Sequence, residues 1–294
     1  MNIDIDATFG GRVKTFPNRA AWRAHRRSSI GGSSIKTVAG LNPFELRDEL
    51  WSQMSGLIEP DNLDGNQEAY WGTRLEPILL QETADEFGCE FASWNQLSIV
   101  IHRDHGCIHD TPDGLMVAGG EPVIMQVKTT SAYLADRWKD EPPLDVFTQV
   151  QHEMEVLDLD RAVVGVLIGG QDFRTYSVPR EREAGEWLIL RAIEFLGWVR
   201  DGVLPPHDSR HPMTVGLAKR IWTTPEKSIV ALDPGLVQAD NRRSQLDGIL
   251  KAAAEERGQI NERIRRAMGP NDVGMLPNGV RYKITSNGQM RRKE

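Results

Sequence analysis

Two short stretches, "TPDGL" at residues 111–115 and "MQVKTT" at residues 125–130, decide how this chain is interpreted. Apolar and polar residues alternate in the second stretch, which is typical of a β-strand. The alternation predicts that Gln126 and Lys128 lie on one face of the strand, with Val127 on the other face and in the core. Asp113 stands on a turn ahead of the neighbouring predicted strand, so we expect it to reach the same face as Lys128.

These residue types suit metal-assisted hydrolysis of a phosphodiester, in which oxygen ligands hold one or two hard cations. The predicted ligands are Asp113, the side-chain oxygen of Gln126 and the carbonyl of Val127. Lys128 is predicted to orient the nucleophile. The alternative is an ordinary hairpin with a Pro-Asp-Gly turn and a solvated lysine, and the spacing alone favours that alternative.

The composition restricts the class of protein. The chain has 294 residues, 39% of them hydrophobic, which is enough to form a sizeable core. Two cysteines, no signal peptide and no long apolar run predict a cytoplasmic protein rather than a secreted disulfide scaffold or a membrane protein. The net charge of -7 is unfavourable for binding nucleic acid, because phosphate affinity comes from lysine and arginine. Any contact with DNA therefore requires a local basic channel.

Hydrophobic periodicity predicts an α/β fold. Helical segments at the N-terminus and over 68–87 precede three strands, one helix that contains residues 147–157, two strands and a further helix over 181–200. The three strands, expected to lie in the same sheet, are "LSIVIHRD", "GLMVAGG" and "EPVIMQVKT". This order predicts a central sheet covered by helices in a core of residues 1–204. The stretch "DGVLPPHDSRHP" is interpreted as a linker. Residues 205–294 are predicted to form an appendage, with helices over 237–268 and a terminal hairpin at Asn287-Gly288.

Other stretches supply further candidates. "GTRLEP" places Glu76 on the helix ahead of the sheet, and "TQVQHEM" places Gln149 and Gln151 on the helix after it. "HRDHGCIH", residues 102–109, gathers three histidines and a cysteine, which suggests zinc, but strand alternation and the lack of closed-site spacing argue against a zinc site.

Five stretches in order, from Arg23 to Tyr176, resemble the lambda-exonuclease family, also called YqaJ-like viral recombinases, within the PD-(D/E)xK nuclease superfamily. They are "RRSSIGGSSIKTVAGLNPF", "WGTRLEP", "TPDGLM", "MQVKTT" and "TQVQHEMEVLDLDRAVVGVLIGGQDFRTYSV". The resemblance implies a restriction-endonuclease-like core with a central mixed sheet. It also implies two Mg²⁺ ions, replaceable by Mn²⁺, and processive 5′-to-3′ degradation of one strand of linear duplex DNA, leaving 3′ overhangs. The implied partners are DNA ends, a single-strand annealing recombinase and two further copies in a toroidal homotrimer.

The resemblance also assigns roles to residues. It implies that Asp113 bridges the metals, that Gln126 occupies the second ligand position and that Lys128 is the catalytic lysine. Glu76 becomes the helix acid near the second metal. The helix residues expected to support the site are Gln149 and Gln151.

The same resemblance implies a 5′-phosphate site formed by Arg26 and Ser33, with Arg27 and Ser34 as near substitutes. An arginine, a hydroxyl and the N–H groups of a Gly-Gly-Ser turn that opens a helix also make a physically sound anion site. Without the resemblance, a solvated basic helix is the preferred interpretation.

The appendage carries its own basic residues, since Arg263, Arg265 and Arg266 accompany the basic tail "RRKE". They suggest a DNA clamp or a subunit contact, although a charge-laced helix is more often simply solvated.

The leading hypothesis is a magnesium-dependent duplex-DNA exonuclease of phage or prophage origin. The rival enzyme is another PD-(D/E)xK nuclease, such as a site-specific endonuclease or a helicase-associated nuclease. The rival from a different class is a protein that grips DNA ends and recruits a recombinase without cutting. Gln126, in place of an acid, keeps this last hypothesis open.

Overall fold

The stretch that contains "MQVKTT" forms the longest strand in the central sheet of this computed structural model. That strand, β6 (Glu121–Thr130), pairs antiparallel with β5 (Gly114–Ala118) and parallel with β7 (Arg161–Ile168). The outer strands β2 (Phe91–Ser93) and β8 (Asp172–Pro179) complete the order β2-β5-β6-β7-β8. The predicted central mixed sheet is therefore confirmed.

The structure describes residues 8–60, 65–206, 229–286 and 288–293. Their contacts divide the chain into two compact units, Met1–Pro225 and Glu226–Glu294. Most of the predicted linker lies outside the described residues, so the predicted boundary after residue 204 stays a prediction.

Helices cover the central sheet, as the periodicity predicts. Their bounds in the first unit are α1 (Arg19–Arg26), α2 (Gly32–Val38), α3 (Arg47–Met54), α4 (Gln67–Glu86), α5 (Leu144–Leu157) and α6 (Arg182–Asp201). Asn66 caps α4 by accepting a hydrogen bond from the Ala69 N–H at 2.9 Å, and the helix continues through Pro77. A 3-10 helix at Ala132–Trp138 and the short α3 were not predicted.

Alternation along β6 divides the core into two apolar clusters. Ile124 belongs to the cluster that contains residues of α5 and α6, whereas Met125 and Val127 belong to the cluster that contains residues of α4. The helix residues that contribute to these clusters include Val150, Met154, Leu188, Phe195, Leu79 and Leu80. The sequence pattern therefore assigned Val127 to the core correctly.

A second, smaller sheet in the same unit has the order β1-β3-β4, with β1 (Val13–Thr15), β3 (Ser98–Ile101) and β4 (His109–Asp110). The expectation that the strand "LSIVI" joins the central sheet is therefore wrong. Its backbone pairs with β1, which comes from a distant part of the chain and has too few residues to show periodicity. The short β4 ends at Asp110, next to the "TPDGL" stretch.

The second unit contains α7 (Leu236–Met268) and a sheet of order β11-β10-β9, with β9 (Val273–Met275), β10 (Arg281–Ile284) and β11 (Met290–Lys293). The predicted helix and terminal hairpin are confirmed, although Asn287 itself lies outside the described residues. Strand β9 was not predicted. Within the described residues, no helix combines the length and apolar character needed to cross a bilayer.

Candidate active site

A cavity of about 250 Å³ lies where β6 passes beneath α4. Its lining residues are Gly72, Glu76, Leu79, Asp113, Gln126, Val127, Lys128 and Thr129. All the residues predicted to bind metal, together with the predicted catalytic lysine, therefore line one open cavity. This placement argues against the ordinary hairpin with a solvated lysine.

The antiparallel pairing of β5 with β6 brings Asp113 to this cavity. Gly114 lies opposite Met125 in that pairing, and one Asp113 carboxylate oxygen accepts a hydrogen bond from the Val127 N–H at 2.9 Å. Burial raises the pKa of Asp113, while the nearby charge of Lys128 acts in the opposite direction. The carboxylate is thus oriented by the backbone of the strand that carries the lysine.

Gln126 is buried, and its amide is held at both ends. Its nitrogen donates to the Asp113 carboxylate, and its oxygen accepts a hydrogen bond from the Gln149 amide nitrogen at 3.0 Å. The oxygen that we predicted as a metal ligand is therefore directed towards Gln149 rather than towards Asp113. The amide must turn before that oxygen can bind a cation.

Glu76 projects from α4 into the same cavity. Burial raises its pKa to about 7, with a further contribution from the negative charge of Asp113, and Lys128 opposes this rise. The Gln96 amide nitrogen donates to one carboxylate oxygen at 3.1 Å. Repulsion between two carboxylates is relieved when a cation lies between them.

The donor set of the cavity fits one hard divalent cation, because Glu76, Asp113 and the Val127 carbonyl are oxygen ligands. Within the described residues, no three histidine, cysteine, aspartate or glutamate side chains are arranged to hold a metal ion. Backbone, amide or water oxygens must therefore complete the coordination. The same finding removes support for the zinc hypothesis: the His102 and His105 rings stack at 5.0 Å, while Cys107 is exposed.

Sequence reasoning missed Glu153, which lies one helical turn after Gln149 on α5. The Gln149 amide nitrogen donates to Glu153 at 2.9 Å as well as to Gln126. Glu153 is fully buried, its second carboxylate oxygen has no hydrogen-bond partner among the described residues, and burial raises its pKa well above the usual range. The i, i+4 spacing of Gln149 and Glu153 was the available signal.

Asp110 was also missed. Its carboxylate lies 2.7 Å from His152 Nδ1, and both side chains are buried. A Cβ atom at Gly32 would lie 2.7 Å from an Asp110 carboxylate oxygen, so only glycine fits there. The Gly-Gly-Ser segment is therefore packed directly against an acid that neighbours the cavity.

The structure does not bring Gln151 to the cavity. Its amide nitrogen donates to the Pro179 carbonyl at 2.8 Å, and its oxygen accepts from the Glu181 N–H at 2.8 Å. Two residues along a helix correspond to a rotation of about 200°, so Gln149 and Gln151 point in nearly opposite directions. Of the two helix residues predicted to support the site, Gln149 contacts Gln126 of the cavity and Gln151 does not.

Among the predicted phosphate-binding residues, the structure brings Arg26 to Ser33 and places Arg27 elsewhere. The Arg26 guanidinium donates to the Ser33 hydroxyl and lies 4.5 Å from the centre of the Trp22 ring. Arg27 is exposed and forms an ion pair with Glu59 at 3.0 Å, so the structure does not bring it to Ser33. Ser34 is half-buried within α2, next to Ser33.

Comparison with known proteins identifies the family. A sequence model of the YqaJ-like viral recombinase domain matches residues 21–160. The chain is also 30% identical over 271 residues to the uncharacterised protein YqaJ of Bacillus subtilis (strain 168), covering 89% of this chain and 82% of that protein. This chain belongs to the YqaJ-like viral recombinase family.

A solved alkaline exonuclease shares the fold of this YqaJ-like protein. LHK-Exo, an alkaline exonuclease from Laribacter hongkongensis, was crystallised in complex with dAMP. That complex has a TM-score of 0.50 at 16% identity, and the match covers 62% of this chain and 92% of that chain. A phage-related exonuclease from Haemophilus somnus 129PT matches with a TM-score of 0.46 at 14% identity, over 59% of this chain and 94% of that chain.

The raised pKa of Glu76 predicts how the stability of the YqaJ-like protein responds to pH without metal. Because this pKa is raised from 4.5 to about 7, the folded chain binds more protons than the unfolded chain between those values. The contribution of Glu76 to the free energy of unfolding is therefore lost as pH rises through that window. We expect Glu76→Gln to lose less stability than the wild type between about pH 5 and about pH 8, measured by urea unfolding in EDTA. Glu82→Gln, an exposed glutamate on the same helix, is the control; an equal pH response in Glu76→Gln and wild type would contradict the assignment.

Proposed function

We propose that this protein is a metal-dependent 5′-to-3′ exonuclease that acts on linear double-stranded DNA and leaves 3′ single-stranded overhangs for phage-type recombination. The observation that carries the proposal is the cavity shared by Glu76, Asp113 and Lys128. Family membership supports it, as does a fold shared with the alkaline exonuclease LHK-Exo.

Each residue of the cavity has a proposed role in cleavage. Glu76 and Asp113 would hold Mg²⁺ or Mn²⁺, together with the Val127 carbonyl and, after its amide turns, Gln126. A bound divalent cation offsets the charge that develops on the phosphate. Lys128 lies beside both carboxylates, where its positive charge can orient the attacking water and stabilise the developing negative charge. We propose that a second metal ion also binds, with oxygen ligands from water or DNA.

Linear duplex with and without Mg²⁺ tests the function directly. We expect strand-specific shortening of linear DNA from the 5′ end, and no cleavage of covalently closed circular DNA. Cleavage of the closed circle would favour an endonuclease. One observation favours the non-cutting rival, namely that Gln126 brings a neutral amide rather than a carboxylate to the cavity. Tight binding of DNA ends without cleavage in any metal would establish that rival.

The family resemblance also leads us to propose a toroidal homotrimer and a single-strand annealing recombinase as partner. Light scattering of the purified protein tests the first, and co-purification with an added single-strand annealing recombinase tests the second.

We further propose that Arg26 and Ser33 bind the 5′-phosphate of the DNA end. The Arg26 guanidinium already donates to the Ser33 hydroxyl, so the two groups converge on one position. Stacking against Trp22 restricts the guanidinium further. The burial that lowers the pKa of Arg26 also reduces competition from water for a bound anion.

Arg26→Ala is expected to remove most of the preference for a 5′-phosphorylated end over a 5′-hydroxyl end. A charge-assisted hydrogen bond contributes ~1.5–3 kcal/mol, which corresponds to a loss of roughly 10- to 100-fold in that preference. The ratio of initial rates on the two substrates measures it. Arg27→Ala removes the same charge from the adjacent residue and should leave the ratio unchanged. Equal wild-type rates on both ends would show that no phosphate site exists here.

A further inference from the structure

The three-stranded sheet of the second unit has one face that carries four cations. In the β10–β11 pairing, Arg281 lies opposite Lys293, and Lys283 lies opposite Arg291. Side chains two residues apart on a strand share a face, so all four lie on the same face. We call this set of four residues the cationic ribbon.

The packing of the opposite face shows which way the ribbon points. Gly274 on β9 and Tyr282 on β10 are paired in the sheet, and both belong to the other face. A Cβ atom at Gly274 would lie 2.7 Å from the Met268 side chain, so this other face packs against the end of α7. The four ribbon cations are exposed. The ribbon is therefore the outward face of the second unit's sheet.

Like charges placed directly opposite each other on a sheet lower its stability. Within residues 229–286 and 288–293, no carboxylate forms an ion pair with any ribbon cation, although Arg243 and Arg266 on α7 pair with Asp240 and Glu262. Among these described residues, two cations of the helix have carboxylate partners, whereas the four ribbon cations, placed opposite each other on neighbouring strands, have none. This costs stability, and an anionic ligand would offset the cost.

A simpler explanation is that charges on edge strands prevent sheets from associating. It accounts for Arg291 and Lys293, because β11 is an edge strand. It does not account for Arg281 and Lys283, which lie on the central strand β10. The ribbon is therefore more than a protected edge.

We propose that the cationic ribbon is a second DNA-binding surface, separate from the cavity, that contacts the sugar-phosphate backbone of the duplex. The choice of DNA as the anion rests on the proposed function. Cations two residues apart are separated by roughly 7 Å and opposite ones by about 5 Å, so four charges fall on a patch that one face of a DNA backbone can cover. The ribbon supplies the local basic surface that a chain of net charge -7 needs to hold a polyanion.

The salt dependence of DNA binding tests this proposal on the full chain. Affinity for a blunt duplex is measured by fluorescence anisotropy in EDTA over a series of KCl concentrations, so that cleavage does not interfere. We expect Arg281→Gln/Lys283→Gln to weaken binding and to reduce the slope of log K against log salt by about 1.8, because each lost phosphate contact removes about 0.9. Arg291→Gln/Lys293→Gln should give the same change from the neighbouring strand.

Arg242→Gln/Arg243→Gln is the matched control, since it also removes two cations from the same unit, and Arg243 pairs with Asp240 while Arg242 donates to Gln245. We expect this control to keep the wild-type slope. A wild-type slope in both ribbon variants, with folding confirmed by circular dichroism, would overturn the proposal. An equal loss in the control would overturn it as well, because only net charge would then matter.

The assay also separates this proposal from the proposed nuclease function. Ribbon variants should retain the wild-type cleavage rate at saturating DNA and lose rate only at low DNA concentration. If the wild type cuts DNA and the ribbon variants keep its salt slope, the nuclease function stands and the ribbon proposal fails. If the wild type never cuts DNA but the ribbon variants show a reduced slope, the ribbon proposal stands and the nuclease function fails.

Discussion

Lys128→Ala is expected to lower the rate of DNA cleavage by ~10²-fold or more while leaving the fold intact. Groups that stabilise transition-state charge contribute at least this much in other enzymes. Lys128 is partly exposed at the cavity and belongs to neither apolar cluster, so its removal leaves no cavity in the core. The loss of its charge beside Asp113 and Glu76 should therefore lower the free energy of unfolding by less than the ~2–5 kcal/mol of a core truncation. Single-turnover cleavage of linear duplex, together with thermal unfolding, measures both effects.

Lys139→Ala, an exposed lysine after the 3-10 helix, is the control and should cleave at the wild-type rate. Asp113→Asn should be as inactive as Lys128→Ala. Asp113→Ala is a poorer test than Asp113→Asn, because the Gln126 amide and the Val127 N–H would both lose their acceptor. Near-wild-type cleavage by Lys128→Ala would reject the assignment of the cavity as the active site.

Gln126→Glu is expected to make both stability and cleavage depend strongly on divalent metal. Without metal, the new carboxylate faces Asp113 in place of an amide that donated to it. We expect the free energy of unfolding to fall by ~1–3 kcal/mol, as when a buried hydrogen-bonding group loses its partner. Metal at ~100 times its dissociation constant should restore ~2.7 kcal/mol.

The same substitution should tighten Mg²⁺ binding and raise the cleavage rate, because a third carboxylate joins Glu76 and Asp113. The wild type, with a neutral amide there, should cut weakly at ordinary Mg²⁺ and better with raised Mg²⁺ or with Mn²⁺. Calorimetric titration and melting temperatures in EDTA, Mg²⁺ and Mn²⁺ measure these effects.

Gln151→Glu is the matched control for this experiment, since Gln151 is an equally buried glutamine bonded to Pro179 and Glu181, away from the cavity. It should be destabilised in every buffer, with no rescue by metal. If Gln126→Glu changes neither metal affinity nor rate, Gln126 does not bind the cation. If neither form cuts in any metal yet both bind duplex ends, the non-cutting protein becomes the better description.

Local periodicity explains what could be predicted from the sequence. Alternation along residues 121–130 assigns Val127 to the core and Gln126 to the opposite face, because a strand has only two faces. The 3.6-residue period likewise located α4, α5 and α6 to within a few residues. The five ordered motifs resemble a nuclease family, and that resemblance implies that Lys128 is catalytic. This role remains to be tested.

Periodicity carries no information about which side chains meet across elements. The placement of "LSIVI" in the small sheet depends on its pairing with β1, about 85 residues away in the chain. Two stretches of similar apolar pattern can therefore enter different sheets.

The sequence by itself determined that Asp113, Gln126 and Lys128 lie close together, because a turn and two adjoining strands hold them near each other whatever surrounds them. Only the tertiary structure decided that the Gln126 oxygen faces Gln149, that Glu153 lies buried behind it and that Gln151 points elsewhere. The reason is physical: each buried polar group must find a hydrogen-bond partner, and packing α5 against the sheet determines which partners are within reach.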